Sequence, residues 1–348
     1  MPNTNAIRAA VLRRPSHWLW KTARGLVTLA LLAWVVQKLD WQQVWRSVLT
    51  AKLHWLVLAL SYPVLTMAID ALRWQVLLRA MGHLVTWSEL FRINLVGIFF
   101  DNFLPSTIGS DTYRALCLSR QYVPSEVLAT ILLGRVVSLF SLLGLGLACL
   151  LTLQAYLPAD VYWMCLSVLG SGLGLIGGGF VLLHTAQYGD TSRWSHRLLC
   201  RSESLTLFVQ SMHQCLALRP FIVSITLSLL LYTVAVAAVV VIAHAYGVPA
   251  AQWWFVACVA PLGLIAAMLP ISIAGHGIRE TAFIYLLSHI GIIPEVGLTI
   301  AISSYGAVAL VSLLGGLMYL LNTMASKRPM QALDTPPVVR TPTDLYSH

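Results

Sequence analysis

The stretch MLPISIAGHGIRETAF, residues Met268 to Phe283, gathers proline, two glycines, histidine, arginine and glutamate within an otherwise apolar run. A guanidinium such as Arg279 forks two parallel hydrogen bonds onto a phosphate or carboxylate, and a low-dielectric setting strengthens them. Glu280, its neighbour, is an acid that pairs with it when no ligand is present. His276, in a glycine-rich turn, suits either of two roles: capping backbone carbonyls or relaying protons. An unpaired charge or a broken backbone in hydrocarbon costs several kcal/mol, so such a cluster marks a place where protein or a water-filled cavity receives it.

A second stretch, NFLPSTIGSDTYRAL from Asn102 to Leu116, has the same form. Shifted by 165 positions, Pro105 meets Pro270, Ile108 meets Ile273 and Arg114 meets Arg279. The flanking apolar runs fall into step as well. The reading is a repeat spanning about residues 25–153 and 161–322. Three crossings separate the motifs, so the second copy is expected upside down relative to the first. In each copy the backbone breaks after the proline and a short helix follows (Thr112 to Tyr122, Ile278 to Ile290), too short to cross. Each motif is therefore expected to be the tip of a re-entrant helical hairpin, the two tips meeting near the midplane, where free helix N-termini with Arg114 and Arg279 favour an anion. Asp111 precedes Arg114 by three residues. Arg135 falls about 12 Å along a span that starts near Val127, with Asp101, Asp111 or Glu280 as candidate counter-ions. The structural alternative is that these charges are internal salt bridges joining the hairpins.

The elements that must position these groups are membrane helices. Of 348 residues, 58% are hydrophobic and 10% charged, with a mean hydropathy of +0.78, which excludes an ordinary soluble domain. Six runs reach spanning length: Leu53 to Leu72, Val127 to Leu153, Val161 to Leu183, Phe221 to Ala243, Trp253 to Leu269 and Gly297 to Leu321. Gly25 to Val36 is expected as a seventh, giving an all-α polytopic membrane protein of about seven full spans. The net charge of +9 resides in links and termini, which speaks to topology and not to nucleic acid. Arg8, Arg13, Arg14, Lys21 and Arg24 place the N-terminal segment 1–24 in the cytoplasm, as do the basic residues between Gln187 and Arg219 for that link. Lys38, Arg46 and Lys52 conflict with this scheme, because they fall in a link it puts outside. Residues 323–348 form a polar, proline-containing tail expected to be disordered. The six cysteines show no metal-ligand spacing, and no metal or cofactor is expected.

The two motifs resemble the signature stretches of the flippase-like transmembrane family related to the membrane half of lysylphosphatidylglycerol synthase. The resemblance runs from about the first span to Leu321, and P-I-S-I-x-G-x-G-I-R-E is its most specific part. It implies a bacterial inner-membrane protein that translocates an anionic or isoprenoid-linked lipid, a phospholipid or a polyisoprenyl phosphate; with no acid, base or nucleophile set beyond the cluster, the chain is not expected to be an enzyme. It also implies site residues: Asn102, Pro105, Gly109, Asp111 and Arg114, then Pro270, Ser272, Gly275, Gly277, Arg279 and Glu280, with Pro105, Gly109 and Pro270 forming the breaks. Two other readings stand beside it: a membrane enzyme acting on lipid headgroups, and a non-transporting subunit whose partner is a glycosyltransferase or lipid-modifying enzyme. The chain departs from the family where Gly134 replaces an acid before Arg135, and where Ser110 and Ala274 replace glycine. The short tail in place of a soluble domain argues against aminoacyl transfer.

Overall fold

The computed structural model describes residues 39–103, 109–185, 216–268 and 277–325, with Gln37, Ser211, Met212, Gln214 and Gly275 as isolated positions. Every regular element among them is helical. An amphipathic helix, α1 (Trp41–Thr50), is followed by α2 (Leu53–Ala59) and α3 (Ser61–Ala80). Proline has no N–H and its ring crowds the carbonyl four residues back, so Pro63 accounts for the interruption at Leu60 between α2 and α3. Then come α4 (Trp87–Phe103), the short α5 (Gly109–Leu118), α6 (Pro124–Thr152), α7 (Ala159–Thr185), α8 (Leu218–Ala245), α9 (Trp253–Met268), the short α10 (Ile278–Ser288) and α11 (Pro294–Ala325). Pro124 and Pro294 open their helices, where a missing N–H costs nothing.

Six segments are long and apolar enough to cross a membrane: Leu53–Ala80, Pro124–Thr152, Ala159–Val181, Leu218–Ala245, Ala250–Met268 and Pro294–Leu321. These are the six runs legible in the sequence, each with shifted ends. The run from Gly25 to Val36 lies outside the described residues. At 10 and 11 residues, α5 and α10 reach only about 15 Å, half of a hydrocarbon core.

The chain divides into two compact units. One contains Leu145–Leu169 and Val236–Gly306, so it holds all of α9 and α10 and the links near residues 153–158, 246–252 and 289–293. The other contains Leu60–Gly144 and Gly170–Ala235, so it holds all of α4 and α5 and the links near residues 81–86 and 119–123. The helices α6, α7, α8 and α11 each contribute one end to each unit. Within the second unit α3, α4, α5 and α6 close on a core of Ala71, Trp74, Leu78, Leu90, Ile93, Leu118, Val127 and Ile131. In the first, Leu39 just before α1 and Val44 within it pack on Ile284 of α10 and Leu298 of α11.

Gly109 and Gly275, described glycines of the two motifs, lie against the helix that precedes each motif. A Cβ on Gly109 would lie 2.7 Å from the Phe100 carbonyl oxygen, and one on Gly275 would lie 2.5 Å from that of Ala267. Only glycine admits such an approach. Gly275 and Gly277 also adopt φ of +76° and +86°, a region that penalises any Cβ. Gly109 and Gly275, each one position from Ser110 and Ala274 respectively, make this close approach.

Candidate functional site

The span carrying α3 brings an acid and an arginine, one helical turn apart, into an apolar segment. Asp70 is ion-paired with Arg73 and also accepts a 2.6 Å hydrogen bond from Nη2 of Arg114 on α5. Asn94 on α4 donates to the same Asp70 oxygen at 3.2 Å. Arg73 in turn donates at 3.1 Å to Ser228 on α8, whose own hydroxyl is directed to the Ser224 carbonyl. Beneath Arg114 lies the indole of Trp74, 5.4 Å from guanidinium carbon to ring centre, held by a 3.1 Å hydrogen bond to Thr130. Cation and ring face attract each other most where water is excluded.

Asp111 does not serve Arg114. It pairs with Arg135 of α6, one of the three acids open to that arginine on sequence grounds. The Arg135 side chain is 47% exposed, whereas those of Asp70 and Arg114 are 14% and 17% exposed. Arg135 stands 11 residues into α6, about 16 Å from its start. Gly134, where the resembling family carries an acid, faces elsewhere: a Cβ there would lie 3.8 Å from Nη2 of Arg73. Arg135 obtains its counter-ion from α5 without it.

In the other unit Arg279 and Glu280 open α10. Arg279 donates to Glu280 Oε1 at 2.6 Å, and Glu280 Oε2 accepts the Gly277 N–H at 2.6 Å. The guanidinium lies over Tyr305 of α11, 4.5 Å from its ring centre. Both residues are buried, at 9% and 6% exposure.

The short-helix N-termini, expected to be free, are occupied. Asp101 accepts the Ser110 N–H at the start of α5 at 2.8 Å, and Glu280 does the same work at the start of α10. The reason is electrostatic: an N–H group at a helix start carries partial positive charge, and away from water an internal carboxylate is the available partner. Yet the arginines are not saturated. Nε of Arg73, Arg114 and Arg279 is buried without a hydrogen-bond partner.

Of the residues expected at the site, Asp111, Arg114 and Arg135 lie in one unit, and Gly275, Gly277, Arg279 and Glu280 in the other. Asn102 is half-buried in the last turn of α4. Pro105, Pro270, Ser272 and His276 lie outside the described residues. The sequence reading missed Asp70, Arg73, Trp74 and Tyr305. An acid and a base at i and i+3 inside an apolar run was the available signal. It was lost because the span was ended at Leu72, whereas the helix continues to Ala80.

Six segments of spanning length, with ion-paired arginines among the described residues, define a polytopic membrane protein. The chain belongs to the family described as lysylphosphatidylglycerol synthase TM region, which matches residues 22–316 and ties it to lipid handling. Comparison with curated proteins and with solved structures finds no match.

Proposed function

We propose that this protein translocates a lipid with an anionic phosphate or pyrophosphate headgroup between the leaflets of a bacterial inner membrane, by alternating access. The observation that carries the reading is the state of Arg114 and Arg279. Arg279 is buried and Arg114 mostly so, and each lies over an aromatic ring, keeps a buried, unpartnered Nε, and is neutralised by a carboxylate. A lipid phosphate offers the same oxygen acceptors as those carboxylates, with further oxygens for the unused donors. Headgroup and carboxylate would exchange at each arginine as access alternates, while the acyl or isoprenoid tails stay in the bilayer.

Asp70 is well suited to release Arg114, because it keeps Arg73 as partner when Arg114 leaves and is never a lone buried charge. The inverted-repeat reading finds support in the helices between the motifs: three of spanning length, within α6, α7 and α8, separate them, as entry from opposite faces requires.

The test is leaflet exchange by the purified full-length protein in liposomes, using fluorescent phosphatidylglycerol and phosphatidylcholine. Faster exchange of the anionic lipid, lost in Arg114→Ala with Arg279→Ala, is expected. Exchange no faster than in protein-free liposomes would overturn the proposal.

A further inference from the structure

The conflicting basic residues between the first two sequence-predicted spans, Lys38, Arg46 and Lys52, have a physical explanation in α1. On a helical wheel of about 100° per residue, Trp41, Val44, Trp45, Val48 and Leu49 form one continuous arc, while Gln42, Gln43, Arg46, Ser47 and Thr50 form the other. Of the apolar arc only Val44 is buried, against Ile284 and Leu298. Trp41, Trp45, Val48 and Leu49 are exposed, Leu49 at 68%.

The helix is fixed at both ends. Asp40 caps its start through the Gln42 N–H at 2.9 Å, and the Lys52 N–H donates to the Ala245 carbonyl at 3.0 Å. The exposed face is thus held in place by neighbouring elements of the same unit. Along the polar arc lies a cavity of about 360 Å³ lined by Asp40, Gln42, Gln43, Arg46, Ser47, Thr50 and Ile293, with the Asp40 carboxylate engaged by the Gln42 and Gln43 N–H groups. The hydroxyls of Ser47 and Thr50 donate to backbone carbonyls in their own helix, at 2.9 and 3.0 Å. The charged donor in the cavity is therefore Arg46, about 60° around the helix from Leu49 and so at the rim of the apolar face.

We infer that α1 lies in the membrane interface, with its tryptophan face in the bilayer, and that Arg46 binds the phosphate of a net-anionic phospholipid in that leaflet. An exposed apolar arc bearing two tryptophans, beside a basic polar arc, fits the acyl–headgroup boundary. Charge complementarity selects the lipid. Residues 38–52 carry Lys38, Arg46 and Lys52 against Asp40, and each basic residue near an anionic surface adds attraction. Lys and Arg here follow lipid headgroups and not the orientation rule that sorts the other links. The inference rests on α1 and on the chain being a membrane protein, and is independent of translocation.

The experiment uses the full-length chain in two measurements. Native mass spectrometry of wild type, Arg46→Gln and Arg114→Ala, titrated with phosphatidylglycerol, should show about fivefold weaker uptake of one lipid in Arg46→Gln. Arg114→Ala should keep that lipid, and 10 mM inorganic phosphate, roughly physiological and without an acyl chain, should not displace it. Unchanged uptake in Arg46→Gln, or displacement by inorganic phosphate, would overturn the lipid site, the second outcome assigning it to free phosphate. Spin labels at Leu49→Cys and Gln43→Cys, in a variant without native cysteines and with the wild-type melting profile, report the bilayer contact. Leu49 should collide with oxygen and Gln43 with a water-soluble nickel chelate. Access of the chelate to both positions would place α1 in water and end the inference.

Discussion

Asp70 holds Arg114 across 44 residues of sequence, while Asp111, three residues away on the helix of Arg114, is bonded to Arg135. Short-range spacing thus gives the wrong partner, and the packing of α3, α4 and α5 gives the right one. This exchange of partners ranks the acids. Removing Asp70 leaves Arg73 and Arg114 without a carboxylate, whereas removing Asp111 releases one half-exposed arginine. Asp70→Ala should lower stability by about 3 to 5 kcal/mol, the cost of an uncompensated buried charge, and Asp111→Ala by much less. Thermal melting in detergent measures both, and equal losses would contradict the network described.

Arg279→Lys preserves charge but removes the planar fork and the stacking over Tyr305. Its melting temperature should stay near wild type, while anionic-lipid exchange should fall at least about tenfold, the equivalent of roughly 1.4 kcal/mol in the transition state. Full exchange at normal protein level would reduce Arg279 to a point charge.

Removing both guanidinium groups separates a lipid site from a structural one. Arg114→Ala with Arg279→Ala should abolish the rise in melting temperature that added phosphatidylglycerol gives the wild type, since a ligand bound only to the native state stabilises it by mass action. A double variant destabilised without lipid that retains the full lipid-induced shift would sink the assignment for both arginines.

Gly109→Ala and Gly275→Ala should each cost more than about 2 kcal/mol, because the new methyl meets backbone carbonyl atoms that cannot yield as a side chain would. Ser110→Gly, at the position where relatives were expected to carry glycine, should cost less than Gly109→Ala. Comparing the melting curves of the three variants checks which positions make the close approach.

Topology is tested at two exposed link residues, Gln121 after the first motif and His289 after the second. In a variant lacking native cysteines, Gln121→Cys and His289→Cys should react with an impermeant maleimide from opposite faces. Reaction of both from the same side would remove the inverted repeat.

The sequence disclosed those parts of the molecule that depend on composition and local backbone rules. Six spans followed from hydropathy, and the two breaks from proline and glycine, whose backbone effects need no tertiary context. The start of α10 at Ile278 was legible for the same reason, whereas α5, expected from Thr112, begins at Gly109. Partner choice was not legible. Asp70 reaches Arg114 only through the packing of α3 with α4 and α5, Arg73 joins them because α3 continues past Leu72, and Gly134 turns toward Arg73 only because of the rotation of α6. The replacement of glycine by Ser110 was visible, but the close approach of Gly109 depends on how α5 returns to α4.

Glu280 divides its two oxygens between the Arg279 guanidinium and the Gly277 N–H, so one side chain closes two donor positions at once. An ion that takes its place must satisfy both donors together or leave one stranded in a dry interior. Chloride, with a single centre, cannot span them as two oxygens on one carbon or phosphorus do. Under the proposed function, the cluster at the head of α10 would select by the number and spacing of acceptor atoms and disfavour monatomic anions before any lipid tail is engaged.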